Sequence, residues 1–328
     1  MGGNAMKHVG VERKSAEDYF VIANEVLNIS VSFAKKIELV PAYSQKESFG
    51  DMDLVFVGKD GIDLKEQITK TFKPKDIKKN GDVWSFDYRK LQIDLIEVPE
   101  KTFYCALTYF SYNDLGNLIG RVAHKMGLKY GHNGLILPIK SNNSHLIGNV
   151  EISVDCSEIF DFLGYNYKRF LRGFNTLDEI FWFVVSSRFF NKDSFQLENL
   201  NHINRKRNRK RPTFMKFLNW LDEHPEIKSY EFSEDKSIYI ENALKYFEHN
   251  GCRERLNELL SEHRKKEFLR SKFNGRIVSQ ITGLTGESLG KFMKMFADSL
   301  GTKTDFEKWL LDASQNQIES KIRQTIQQ

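Results

Sequence analysis

The first half of the chain alternates apolar and polar residues over short runs, whereas the second half has helical spacing. This contrast predicts an α+β fold, in which a small mixed sheet with helices on one side precedes an all-α part. A helix is predicted at 15–27, because Ser15 suits its N-cap and Asp18 suits the third helical position. The other elements predicted in this half are strands at 36–41, 54–57, 83–88, 91–98 and 135–138, helices at 62–71 and 113–126, a turn at 78–82 and a polar loop at 140–150.

From residue 157 onward the chain is predicted to be helical, with no repeat at a fixed period. We therefore predict two domains, one at 1–168 that contains the sheet and one at 169–328 that is helical and basic. The predicted helices are 157–164, 176–190, 212–223, 238–248, 253–270, 286–299 and 304–327.

The stretch 47–56 combines a Ser/Gly lead-in, an Asp-x-Asp pair and an apolar run. If a buried strand starts at Leu54, Asp51 and Asp53 lie at its mouth and share one face, because side chains alternate along a strand. Two close carboxylates repel each other unless a cation lies between them, so the pair favours a divalent metal. Asp94, an acid within an apolar strand, joins them if the two strands are neighbours. The alternative to a metal site is that Asp51 and Asp53 are turn residues before a strand and that Asp94 lies on a sheet edge.

Composition narrows the class of protein. The 328 residues are 40% hydrophobic, which is sufficient for two packed domains. There is no long apolar run, so no membrane partner is expected, and the first residues do not form a signal peptide. Three widely spaced cysteines indicate a reducing compartment, and we expect a cytoplasmic monomer without disulfides. The net charge of +5 comes from the second half, which suits a polyanionic partner.

Three motifs in order resemble those of the X family of DNA polymerases, the polymerase β-like branch of the nucleotidyltransferase superfamily. The first is 47–53 (ESFGDMD), similar to E-S-x-G-D-h-D with h hydrophobic, and the second is 93–99 (IDLIEVP), similar to h-D-h-x-h-x-P. The third is 103–117 (FYCALTYFSYNDLGN) with Arg121, similar to Y-Y-C-x-h-h-Y-F-T-G-S-D-h-x-N and a following Arg. With a weaker fourth motif at 158–165, the resemblance covers residues 38–168.

This resemblance implies a polymerase β-like palm that transfers nucleotides with two Mg²⁺ ions, for which Mn²⁺ can substitute. Asp51 and Asp53 would bind both ions together with a nucleoside triphosphate. Asp94 would bind the catalytic ion and help to activate the primer 3′-hydroxyl. The resemblance further implies Ser48, Gly50 and Lys46 at the phosphates, Tyr109 and Phe110 at the sugar, Asp114 against the base, Asn117 hydrogen-bonded to the nucleotide and Arg121 in the template minor groove.

The chain departs from the family pattern at two places. The Gly-Ser and the Arg pair that precede the first Asp in the family are replaced by 40–46 (VPAYSQK), where Lys46 is the one cation. The Thr-Gly of the third motif is Ser111-Tyr112 here. How the triphosphate is held, and how the backbone of the sugar pocket runs, are therefore left open by the motifs.

A basic run at 205–211 (RKRNRKR) contains six basic residues in seven. Positive charges this close together repel one another unless phosphates neutralise them, which favours contact with a nucleic-acid backbone. A solvated linker explains the run equally well. The candidate contacts are Arg205, Lys206, Arg207, Arg209, Lys210 and Arg211.

The predicted function is Mg²⁺-dependent addition of nucleotides to a nucleic-acid 3′ end, first as an X-family-like DNA polymerase of repair or replication. A CCA-adding or tRNA-repair transferase that acts on RNA ends is the second interpretation, because residues 282–293 weakly resemble the helical tails of such enzymes. A catalytically silent nucleic-acid-binding relative is the third. A small-molecule nucleotidyltransferase is the fourth, and the basic run argues against it.

Overall fold

A computed structural model describes residues 5–327 of the chain. These residues form two compact units, which divide between Cys252 and Arg253. The predicted boundary at 168 lies inside the first unit, because the helices of 169–252 cluster with the strands. No helix among residues 5–327 is long and apolar enough to cross a membrane.

The strands of the described chain all belong to the first unit, and the second unit is helical. The predicted order of a mixed sheet followed by helices is therefore confirmed. The strands are Lys14–Ser15 (β1), Ala34–Leu39 (β2), Ser48–Phe49 (β3), Asp51–Gly58 (β4), Ile77–Asn80 (β5), Val83–Tyr88 (β6), Leu91–Glu97 (β7), Lys129–Gly131 (β8), Gly134–Lys140 (β9) and Leu146–Ser153 (β10). The helices of this unit are Ala16–Ser30 (α1), Leu64–Phe72 (α2), Phe103–Phe110 (α3), Leu115–Lys125 (α4), Cys156–Phe162 (α5), Tyr167–Leu171 (α6), Leu177–Val185 (α7), His202–Asn208 (α8), Pro212–Glu223 (α9) and Ser237–Tyr246 (α10).

A five-stranded sheet with the order β2-β4-β7-β6-β5 forms the centre of the first unit. Strands β4 and β7 run parallel, whereas the other neighbouring pairs are antiparallel, so the sheet is mixed. The predicted hairpin at 83–98 is confirmed as β6 and β7. Strand β1 pairs with β3, and β8, β9 and β10 form a third, antiparallel sheet.

The two faces of the main sheet differ because side chains alternate along each strand. On one face, Met52 and Leu54 of β4 belong to an apolar core that α1 and α2 cover. Helix α1 begins as predicted, with the Ser15 hydroxyl accepting the Asp18 N–H at 3.2 Å. On the other face, Val55 packs with Phe103 of α3, which covers only the distal, apolar ends of β4 and β7. The proximal ends of these strands are therefore left to polar residues.

Three local predictions are wrong, each because pairing or capping extends beyond the pattern. Residues 78–80 belong to β5, which pairs with β6, rather than to a turn. The predicted loop at 140–150 contains the start of β10, which pairs with β9. The predicted helix at 304–327 is two helices, because Ser314 begins a new helix through a capping box with Gln317.

The second unit is a bundle of short helices that follow one long helix. Its core contains stacked Phe273 and Phe296 together with Leu310 and Ile318. The helices are Cys252–Lys272 (α11), which starts at the last residue of the first unit, Gly275–Thr282 (α12), Gly286–Asp298 (α13), Lys303–Asp312 (α14) and Gln315–Ile326 (α15).

Candidate active site

The parallel pairing of β4 and β7 brings the three predicted carboxylates together on one face of the sheet. In this register Asp53 lies opposite Asp94, and Asp51 lies opposite Gln92. Because residues two apart in a strand share a face, all four side chains lie on the face that α3 packs against, at the proximal strand ends that α3 leaves uncovered. Strand β4 starts at Asp51 rather than at Leu54, so the two aspartates lie inside the strand and not at its mouth.

Burial makes two of these carboxylates, those of Asp53 and Asp94, unusually basic. The pKa of Asp53 is raised to about 8, chiefly by burial and then by the nearby charges of Asp51 and Asp94. Burial likewise raises the pKa of Asp94 to about 6, although hydrogen bonds from Ser85 and Gln92 act in the opposite direction. Asp94 is 1% exposed. The group therefore resists carrying its full negative charge without a cation.

The carboxylate oxygen atoms differ in how well they suit a divalent ion: Asp53 has one without a hydrogen-bond partner in the described part of the chain, whereas both oxygens of Asp94 have one. Asp53 as a residue is partly exposed, but its Oδ1 atom is buried and has no hydrogen-bond partner among the described residues. Such an orphaned carboxylate oxygen suits a hard cation, which prefers oxygen ligands. Both oxygens of Asp94 instead accept hydrogen bonds from Gln92 Nε2, at 3.0 and 2.9 Å. Within residues 5–327, no three His, Cys, Asp or Glu side chains are gathered around a common metal position.

The lead-in to β4, residues 40–50, carries the predicted phosphate contacts. Lys46 and Ser48 line a cleft of about 370 Å³, which also contains Arg13 and Lys216. Gly50 lies under Arg13, and a Cβ atom at this glycine would approach Arg13 Nη1 to 2.8 Å. The sequence did not single out Arg13 or Lys216, because neither lies near a motif. Only the fold brings them to the lead-in.

The corner between α3 and α4 holds the predicted sugar and base contacts. Tyr109 and Phe110 make an edge-to-face contact, with ring centroids 5.4 Å apart, and Phe110 stacks on His132. Burial raises the pKa of Tyr109. Gly116 is required for this corner, because a Cβ atom there would lie 2.1 Å from the Tyr109 carbonyl oxygen. The two aromatic rings and α4 are therefore held closely together.

Helix α4 presents Asn117 and Arg121 four residues apart, on one face as predicted. Asn117 Nδ2 is buried without a hydrogen-bond partner among residues 5–327. Arg121 lies 6.0 Å from the ring centroid of Phe214. Burial lowers the pKa of Arg121, and the neighbouring Arg207 and Arg211 lower it further. Three guanidinium groups thus lie close to one another, and one of them, that of Arg121, shares a helix face with Asn117.

The basic run is divided between structural and exposed residues. Arg205 donates hydrogen bonds to the carbonyls of Leu197, Glu198 and Leu200, which ties α8 to the preceding segment. Arg211 forms an ion pair with Asp114, so this carboxylate is engaged by the protein rather than open to a base. The exposed members are Lys206, Arg207, Arg209 and Lys210. The run is therefore not a free linker, and four of its cations face solvent.

Comparison with known proteins adds no assignment. No protein-family model and no curated protein sequence matches this chain. The geometry of the carboxylates and of the surrounding cations is therefore the basis for a functional proposal.

Replacing Arg211 by alanine is expected to lower the free energy of unfolding by about 1–3 kcal/mol, because Asp114 would lose its partner in a half-buried position. Both side chains of the pair are 19% exposed. Urea denaturation followed by circular dichroism measures the change. Arg209→Ala is the matched control, since Arg209 lies exposed in the same run. Equal stability of the two variants would contradict a stabilising role for the pair.

Proposed function

We propose that this protein is a Mg²⁺-dependent nucleotidyltransferase that adds nucleotides to a nucleic-acid 3′ end, similar to the polymerase β-like enzymes. The observation that carries this proposal is the register of β4 and β7, which puts Asp53 beside Asp94 and Asp51 on the same face. A partly buried, mutually repelling set of carboxylates is costly to keep unless it has a chemical use. Two-metal nucleotidyl transfer provides that use.

The three aspartates and Gln92 would have separate roles in the reaction. Asp51 and Asp53 would hold the ions, and Mg²⁺ when bound supplies the positive charge that phosphoryl transfer requires. Asp94 would accept the proton of the 3′-hydroxyl. A pKa of about 6 leaves this carboxylate mostly ionised at neutral pH, yet more basic than an exposed aspartate. Gln92 holds the carboxylate of Asp94 in one orientation.

A DNA primer–template and an RNA 3′ end are both compatible with this chemistry. Asn117 and Arg121 on one face of α4 favour a polymerase that contacts a base pair, and the buried Asn117 Nδ2 lacks a partner that a nucleotide could supply. The ion pair between Asp114 and Arg211 favours the second candidate, an RNA 3′-end transferase. The aspartate that the resemblance puts against the base is here paired with a guanidinium and is not open.

Incorporation of labelled nucleotides tests the proposal directly. The full chain is incubated with Mg²⁺ or Mn²⁺, with dNTPs or rNTPs, and with a DNA primer–template or a single-stranded RNA end. We expect extension of at least one substrate, and the preferred substrate decides between the two candidates. Binding of the strands without any incorporation would contradict the proposal and indicate a catalytically silent binding module.

A further inference from the structure

The cations of the cleft beside the carboxylates come from three separate parts of the first unit. The lead-in provides Lys46 and Ser48, the segment before α1 provides Arg13, and the first turns of α9 provide Thr213 and Lys216. It is a polar cleft of about 370 Å³. Lys46 connects the cleft to the carboxylates, because Asp51 and Asp53 are close enough to oppose the lowering of the Lys46 pKa by burial.

Arg13 is held in place by the backbone. Strand β1 pairs with β3 so that Ser15 lies opposite Ser48, and the Ala16 N–H donates to the Glu47 carbonyl at 3.0 Å. Arg13 Nη2 donates to the Ser48 carbonyl at 2.8 Å and to the Ser48 hydroxyl at 3.1 Å. Because the hydroxyl oxygen accepts from Arg13, its own proton remains available for an anion. The absence of a side chain at Gly50 leaves space for this guanidinium.

The charges in the cleft are not balanced by the protein. Three cations line it, from Arg13, Lys46 and Lys216, against one carboxylate, from Glu47. None of the three cations makes an ion pair with a carboxylate in the part of the chain that the structure describes. Burial lowers the pKa of Lys46, and Arg13 lowers it further. A partly buried lysine beside a fixed arginine is stabilised when an anion enters.

We propose that this cleft binds a polyphosphate chain through Arg13, Lys46 and Lys216, with the Ser48 hydroxyl as an additional donor. The inference rests on the proposed function for the identity of the ligand, the triphosphate of an incoming nucleotide. Arg13 and Lys216 come from segments outside the lead-in, and they replace the Gly-Ser and the Arg pair that the lead-in lacks. The positive end of the α9 dipole adds to the attraction, because Pro212 and Thr213 are its first residues.

The ordinary alternative is that Arg13 and Lys216 are solvated surface cations. Both are exposed, and exposed charges of like sign cost little when solvent screens them. The fixed position of Arg13 favours a site over a solvated surface. A surface arginine needs no glycine beneath it and no hydrogen bonds to a backbone carbonyl and a hydroxyl.

Calorimetric titration of the full chain with inorganic tripolyphosphate, in buffer without divalent ions, tests the cleft independently of catalysis. We expect the double variant Arg13→Gln/Lys216→Gln to bind at least about tenfold more weakly than the wild type, since hydrogen bonds to charged groups are lost. The matched control is Lys65→Gln/Lys70→Gln. It removes the same charge from exposed positions of α2, on the opposite face of the sheet. Lys216→Gln alone repeats the test without disturbing the pairing of β1 with β3.

Unchanged tripolyphosphate binding in the double variant, or no binding by the wild type, would overturn the inference. In primer extension, a rise in KM for the nucleotide with unchanged KM for the primer supports it. A rise in KM for the primer alone overturns it, because the cleft then holds the nucleic-acid strand. A third outcome separates the two proposals: the wild type binds tripolyphosphate, the double variant does not, and no substrate is extended. This outcome would support the polyphosphate site and contradict the proposed transferase function.

Discussion

Replacing Asp94 by asparagine is expected to reduce nucleotide incorporation at least about a thousandfold while the fold persists. Asparagine matches the shape of aspartate, and its amide oxygen can still accept the hydrogen bond from Gln92 that the carboxylate accepts at 2.9 Å. The substitution removes the negative charge and the base on the sheet face shared with Asp51 and Asp53. Loss of both functions acts on the chemical step, so kcat should fall with little change in KM for the nucleotide.

The control for this variant lies on the same strand. Glu97→Gln changes an exposed carboxylate at the end of β7, on the opposite face of the sheet from Asp94. Single-turnover extension of the preferred primer measures both variants, and thermal unfolding confirms that they are folded. Activity of Asp94→Asn within about tenfold of that of Glu97→Gln would contradict a catalytic role for the three-aspartate site.

Replacing Asp53 by asparagine is expected to stabilise the metal-free protein at pH 8 by about 2 kcal/mol or more. The ordinary pKa of this carboxyl is 3.8, and in the folded protein it is about 8, chiefly because of burial. The folded state therefore binds the proton more tightly than the unfolded state, so stability falls as the pH rises from about 4 to about 8. Asp94 contributes in the same direction up to about pH 6.

Urea denaturation at pH 5 and pH 8, in a chelator and then in Mg²⁺, measures this effect. The wild type should lose stability between the two pH values, and Asp53→Asn should lose much less. Added Mg²⁺ should stabilise the wild type at pH 8 more than the variant, since an ion offsets carboxylate repulsion. Asp82→Asn, at an exposed turn, is the control. If the free energy of unfolding depends on pH in the same way in Asp53→Asn and Asp82→Asn, the pKa of Asp53 is not raised in the folded protein.

The hairpin of β6 and β7 and the helix α1 show how much local pattern can predict. Both follow from signals within a few residues: period-2 alternation around a tight turn, and Ser15 followed three residues later by Asp18. Strand β5 and the start of β10 escaped prediction, because their strand character comes from pairing with β6 and β9. An edge strand rich in lysine has no apolar face for a pattern to detect.

The sequence by itself determined the three aspartates, their alternation within strands and the order of sheet before helices. Those features depend on residues that are close along the chain. Tertiary structure alone decided that Asp53 lies opposite Asp94 and that Arg211 engages Asp114. It also brought Arg13 and Lys216 to the lead-in of β4. These contacts join residues far apart in sequence, and they form only when strand register and helix packing place their backbones within reach of one another.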